Sequence, residues 1–414
     1  IKNRQYLLIN LLEAPVLAIL LAVLLRSTES GGDYSYGASQ NIPHFLFISV
    51  IVAIFMGLTV SAEELFRDRL MRKREANLHL DWGAYLTAKC AVLFGISAIQ
   101  TLLFAVCAQF ILDLPGHFFG YTFTLFSVAA CANLFGLIIS LLFNSVRVIY
   151  LAIPLFIIPQ LMLGGAIVPF RAMQPSIAKT TEVPWPAQTM ISRWGFEALA
   201  TMYAADNAFT QPLYGAEQGM AETEFLRDRW VPEMKSQLRE AQKGEDAALK
   251  RVAKGCATYG IPVDSVSFED GVSESEAAVL TRALNQFRDA QRKAWRQWKS
   301  QRDDALIAHG WDAPESSKAI QEAEFNQVLF DWTTGADVLS AGITVEEDGL
   351  LNSVDALYAR ADWPGLGTFY SAHSWMGATV SKRTANWTVL WLATFLLMTG
   401  LIFGERFRRS DRLR

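Results

Sequence analysis

Residues Glu64–Glu75 read ELFRDRLMRKRE, five basic and three acidic side chains in an unbroken run. Long stretches of Leu, Ile, Val, Phe and Ala lie on both sides of it. A chain that interrupts two apolar helices with so dense a block of charge is switching solvents. The apolar flanks call for lipid and the charged run for water.

Working outward, six segments are long and apolar enough for a helix to cross a hydrocarbon core of about 30 Å, which takes about 20 residues. They are Tyr6–Leu25, Phe45–Ala62, Ala84–Leu112, Tyr121–Phe143, Val148–Val168 and Trp387–Phe403. A water-soluble protein with buried helices rarely runs so far without a charge. The 414 residues are 51% hydrophobic and 19% charged, but residues 203–383 hold most of the charge and read as an ordinary helical domain. The net charge of -4 therefore averages two unlike regions and says little about partners. The expected fold is an all-α polytopic membrane protein.

Basic residues in short flanks set the orientation. Lys2 and Arg4 precede the first span. Arg67, Arg69, Arg72, Lys73 and Arg74 join the second and third, Arg147 joins the fourth and fifth, and Arg406, Arg408, Arg409, Arg412 and Arg414 follow the sixth. Alternating spans put all of them on one side, which is cytosolic by this rule. The opposite loops, 26–43 and 113–120, hold only Arg26. The polar region after span five then faces outward, and long translocated domains escape the charge rule. Three units follow: 1–203 with spans one to five and a re-entrant or surface segment, 204–383 as an external helical domain, and 384–414 with the sixth span and a basic tail.

Within the external region, Ser273 and Glu276 form a capping-box pattern opening a long helix that ends near Gly310. Further helices are expected over Glu222–Lys254, interrupted near Pro232, and over Ser317–Trp332. Phe287, Trp295 and Trp298 read as core.

The spans hold almost no charge, which disfavours an ion-coupled carrier. No GxxxxGK[ST] loop, HExxH or Ser/His/Asp arrangement occurs, so no catalytic, cofactor or metal site is expected in this segment. Cys90, Cys107 and Cys131 sit in apolar runs and Cys256 stands alone, so no disulfide framework is expected. Gln100, Gln109, Asn133 and Gln160 are polar and uncharged. Their simplest role is hydrogen bonding between helices. Phe47 and Phe55 on span two are candidates to line a path for a hydrophobic substrate, and Asn133 for contact with it. Pro154 and Pro159 should bend span five, and Trp185, between Pro184 and Pro186, suits the outer interface. The chain from there is expected to dip back and run along the membrane surface.

The run from Trp185 through Ser192, Arg193, Trp194, Gly195, Phe196, Glu197, Ala198 and Leu199 resembles the segment after the fifth helix in ABCG-type (ABC-2) transporter membrane domains. The block Glu64 to Glu75, followed by Tyr85, Ala88 and Lys89, is similar to that family's loop between helices two and three. The resemblance covers about 1–203 and 384–414. It implies that Glu64, Arg67, Arg69, Arg72, Arg74 and Glu75 form the elbow that meets a nucleotide-binding domain. It further implies a dimer with the path between copies of spans two and five, and an outer valve near Gly164–Ile167, with Leu163 and Ile167 as its apolar members. ATP and Mg belong to the ATPase domain, expected upstream in the same polypeptide. The expected function is the permease of an ATP-driven exporter of a hydrophobic or amphipathic molecule, in a bacterial inner membrane. Expected partners are that ATPase, a second copy, lipid and an envelope component on the external domain; nucleic acid is not expected. Two departures stand out: the loop between spans five and six is far longer than in the family, and the ATPase is not in this segment. A different class of reading is a membrane-anchored receptor or assembly protein working through its external domain.

Overall fold

The computed structural model describes residues 4–26, 34–69, 81–170, 173–174, 183–262, 272–335, 342–346, 349–352, 355–360, 369–370, 372–375 and 378–411. The membrane part begins with α1 (Arg4–Leu25), α2 (Ile42–Ser61) and the single turn α3 (Glu64–Arg67). Next come α4 (Trp82–Leu112), α5 (Phe118–Leu142) and α6 (Val146–Met162). The short α7 (Trp185–Gln188) leads into α8 (Ile191–Ala205). Among the described residues, five helices are long and apolar enough to cross a membrane. They include the last one in the chain.

The expected fifth span, Val148–Val168, is shorter as a helix. α6 stops at Met162 and carries Pro154 and Pro159 inside it. At 1.5 Å per residue it reaches about 26 Å, short of a full core. Gly164 and Gly165 then take the chain out of helical geometry, Gly165 at φ +84.

Small residues decide how the spans pack. A Cβ on Gly57 of α2 would lie 2.6 Å from the Ala129 carbonyl oxygen of α5, and one on Gly136 of α5 would lie 3.1 Å from that of Leu58. The two backbones touch, as small-residue seams in lipid allow. Asp81 caps α4 by accepting from the Gly83 and Ala84 amides, both at 3.3 Å. Large apolar side chains left exposed, such as Leu20, Leu24, Phe110, Leu155 and Phe395, suit lipid and not water.

The segment after span five does not run along the surface. Of α8's fifteen residues only Trp194 is not fully buried. It packs against α2, α5 and the last span, so it re-enters the bundle.

The insertion opens with α9 (Thr210–Phe225), which passes through a π turn at Leu226–Trp230 into α10 (Val231–Gln242). Pro232 lacks an amide to donate, and the wider turn accommodates that loss. α11 (Asp246–Thr258) follows, so the break expected near Pro232 is a π turn within a continuous helix, and the chain breaks instead between Gln242 and Asp246. α12 (Glu274–Ala308) is the long helix, with the Ser273–Glu276 capping box formed. α13 (Pro314–Glu324) and α14 (Gln327–Thr334) replace the single expected helix over Ser317–Trp332. The break falls at Phe325–Asn326, where the Asn326 side chain caps α14. The region is not all helical. β1 (Ile343–Glu346) pairs antiparallel with β2 (Gly349–Asn352), and β3 (His373–Trp375) with β4 (Ala378–Val380). The last helix, α15 (Lys382–Asp411), returns through the bundle.

Phe225, Trp230, Met234, Leu238, Val252, Leu280 and Leu284 form a separate core in the insertion. Trp298 lies against Gly219, where a Cβ would come within 2.4 Å of the indole. The insertion is also tied to the spans. Asn326 Nδ2 donates to the Tyr36 and Ser39 carbonyls at 2.8 and 2.7 Å, and the Gly37 amide donates to Glu322 O at 3.0 Å. The loop after α1 and the insertion therefore share one end of the bundle.

Candidate functional site

At the opposite end, α2 turns into α3 and meets the start of α4. Glu64 accepts from Lys89 of α4 and from Arg67 Nη2 at 2.7 Å. Asp68 Oδ2 lies 2.8 Å from Lys89 Nζ and accepts from the Tyr85 hydroxyl at 2.6 Å. One lysine thus bridges two carboxylates on the α2–α3 corner. Arg69 reaches across to the C-terminal end of α5, donating to Leu141 O at 3.1 Å, to Phe143 O at 2.9 Å and to the Asn144 side chain. Carbonyls at a helix C-terminus carry partial negative charge and favour such a cation. The Phe66 amide donates to Ser140 Oγ at 2.9 Å. Glu64, Arg67 and Arg69 therefore belong to one polar knot joining α2, α3, α4 and α5. Arg72, Arg74 and Glu75 lie outside the described residues. Asp68 joins the same knot, and its four-residue spacing from Glu64 is the one sign of this in the sequence.

At the insertion end, α6, α8 and the second hairpin converge. Gln160 of α6 accepts from the Ser192 amide at 3.0 Å through its side chain and from Ser192 Oγ at 2.8 Å through its carbonyl. It supplies the N-terminal cap that α8 lacks in its own sequence. Gly195 lets α8 approach α2 and α5, since a Cβ there would come 2.9 Å from Val50 and 2.7 Å from Val128. Arg193 and Glu197, one helical turn apart, form an ion pair at 3.0 Å with side chains 2% and 0% exposed. The Arg193 guanidinium stacks 3.7 Å over the Trp194 ring, while its Nε and Nη1 have no hydrogen-bond partner. Glu197 Oε1 accepts from the Tyr370 amide at 3.0 Å and lies 3.4 Å from His373 Nε2 on β3. A buried charge of this kind is stable only with its partner present. The insertion thus contributes to the counter-charge of a helix inside the bundle. His373 is 180 residues from Arg193 in the chain, and no local pattern announces it.

The path and valve candidates scatter around this region. Phe47 is 1% exposed, packs edge-on to Phe196 at 5.4 Å, and fills the space a Cβ on Gly164 would need. Phe55 is half-buried against the same core. Leu163 ends α6 and packs against Phe170, Val183 and Ala187. Ile167 is 57% exposed. Asn133 is buried in α5 and donates to Ser97 Oγ of α4 at 2.9 Å. Gln100 likewise donates to Asn10 O at 2.8 Å, tying α4 to α1. Within one chain Phe47, Leu163 and Asn133 are packed between helices, while Ile167 faces outward.

The family model for ABC-2 type transporters matches residues 1–202. That stretch is an ABC-2 type transporter domain. No curated protein and no solved structure matches the chain. The match ends inside α8, so it takes in the Glu64–Lys89 knot and the Arg193–Glu197 pair but not the insertion's Tyr370 and His373. The chain is a multi-pass integral membrane protein, and its ABC-2 domain is the permease part of an ABC transporter.

Proposed function

We propose that this protein is the permease of an ATP-driven exporter of a hydrophobic or amphipathic molecule, working as a dimer with an ABC ATPase at the Glu64–Lys89 knot. The observation that carries it is the single lysine bridging Glu64 and Asp68 across the α2–α3 corner. A push on α3 is delivered to α2, α4 and α5 together, because all of them share that knot. ATP and Mg would bind the ATPase domain, which supplies the chemical energy; this chain's residues transmit motion. The knot faces the cytosol of a bacterial inner membrane in this reading, with the insertion on the outer side.

A second copy would meet the chain along α2 and α6, with Phe47 and Phe55 towards the path and Asn133 behind them. Leu155, Ile158, Met162 and Ile167 are more than half exposed, and Ile167 with Leu163 would close the outer valve against the same residues of the second copy.

The test is the full polypeptide with its ATPase, reconstituted in vesicles and assayed for ATP turnover and for release of fluorescent amphipathic probes. Lys89→Glu should abolish ATP-dependent probe movement while ATP turnover persists, and Glu64→Lys combined with Lys89→Glu should recover part of it. Native transport by Lys89→Glu would remove the knot from the mechanism.

A further inference from the structure

A second site lies where the insertion rejoins the membrane. A cavity of about 360 Å³ opens between the end of α8, the start of α9 and the start of α15. Its polar lining includes Asp206, Gln211, Tyr214, Ser381, Lys382 and Arg383. Lys382 and Arg383 line it beside the carboxylate of Asp206, and Glu197 lies near enough to act on Lys382 as well. Arg383 Nη1 lies 3.4 Å from Asp206 Oδ2, while its buried Nε has no hydrogen-bond partner. Lys382 Nζ donates to Leu357 O and approaches the Tyr214 hydroxyl at 3.3 Å. An oxyanion with several acceptors would use the idle Arg383 Nε donor.

The position of the cavity narrows the ligand. Lys382 and Arg383 open a membrane span, at the end of the bundle away from the Glu64–Lys89 knot. The Arg383 guanidinium sits 5.4 Å over the Trp387 ring. From Trp387 an aromatic seam descends between α5 and α15: Phe123 at 4.9 Å, then Trp391 6.4 Å beyond it, with Phe126 5.9 Å from Trp391. Both indole N–H groups are committed to α5, Trp387 to Thr124 Oγ1 at 2.9 Å and Trp391 to Ser127 Oγ at 3.1 Å. Phe123 remains 39% exposed and Phe119, one turn above, 85% exposed. The drop from Lys382 to Trp391 is about 13 Å at helical rise, a depth reached by an acyl chain whose head stays at the interface.

We infer that this cavity holds the phosphate of a membrane phospholipid, with its acyl chain laid along the α5–α15 aromatic seam. The inference needs only that α15 spans the membrane and is independent of the proposed transport. The head must carry an oxyanion, because a lipid without one leaves Arg383 Nε without an acceptor. A tail has a place to lie, because the apolar seam begins at Trp387, one helical turn from Arg383, whose guanidinium lies over its ring.

The test is lipid binding to the full polypeptide in detergent, read by native mass spectrometry with dioleoylphosphatidylglycerol and with dioleoylglycerol, which has the same chains and no phosphate. The phospholipid should bind at least about tenfold more tightly, and Arg383→Gln should remove about that factor, as expected for one charge-assisted contact. Asp206→Asn should tighten phospholipid binding several-fold, roughly the reverse effect of deleting a competing carboxylate, a gain that misfolding would not produce. Equal binding of the two lipids, or unchanged binding by both variants, would overturn the inference. Displacement of bound phospholipid by inorganic phosphate alone would assign the cavity to a free anion and overturn the lipid assignment.

Discussion

Arg193 and Glu197 show what single residues decide in this protein. Each is buried, each is the other's principal counter-charge, and His373 and the Tyr370 amide complete the set. Glu197→Ala should lower stability by about 3–5 kcal/mol by stranding a buried guanidinium, whereas Arg193→Met with Glu197→Met should cost far less. Thermal unfolding in detergent separates the two, and equal losses would mean that packing and not charge is at stake. Asp355 gives a residue-scale pH effect outside the spans. Burial pushes its carboxyl up to about 6; Arg229 pulls it down and Glu224 pushes it further up. Because the fold favours the neutral acid, its contribution is full below the unfolded value near 4 and is lost as pH rises through about 6. Asp355→Asn should therefore flatten the decline in stability across that window, removing about 2–3 kcal/mol of it. Asn tolerates the left-handed backbone at Asp355, where φ is +60. An unchanged pH profile would contradict the assignment.

At the scale of elements, contact between backbones and local capping do most of the specifying. Gly57→Ala would press a methyl group to 2.6 Å from a carbonyl of α5, which cannot move aside, whereas Gly95 of α4 has nothing within 4 Å of a Cβ. Gly57→Ala should destabilise the bundle by about 1–3 kcal/mol and Gly95→Ala should be neutral or slightly stabilising, about 1 kcal/mol at most. Melting curves of the two variants check this, and similar behaviour would dissolve the seam argument. The sequence makes some of these elements readable and others not. α12 was legible in full, because Ser273 and Glu276 cap it and Gly310 follows it. The apolar runs were legible because length and hydropathy are local properties. The break at Phe325–Asn326 was not, because Asn326 is held by Tyr36 and Ser39, nearly three hundred residues upstream. α8 looked like a surface helix because its sequence mixes polar and apolar residues. Its Arg and Glu neutralise each other inside the bundle, which periodicity alone does not reveal. The two hairpins are short and their partners lie close in sequence, but the runs ITVE and GLLN were too brief to announce strands against a helical background.

At the scale of the whole molecule, two polar knots sit at opposite ends of an apolar bundle. The Glu64–Lys89 knot joins the spans to one another, and the Arg193–Glu197–His373 knot joins them to the insertion. The charged turn at Glu64, Arg67 and Arg69 was legible because charge between two apolar runs is conspicuous, but its cross-links to Lys89 and to the end of α5 were not. The outer knot was only half legible, since His373 comes from a distant hairpin. If the elbow drives the bundle, nucleotide binding must be felt at the far end. Spin labels at Ile167→Cys in the two copies of the intact transporter report this, since Cys90, Cys131 and Cys256 are buried and Cys107 half-buried. Double electron–electron resonance with and without trapped nucleotide should show a change in the distance between labels, and Lys89→Glu should suppress it. A distance distribution that nucleotide leaves unmoved in the unaltered transporter would contradict the account.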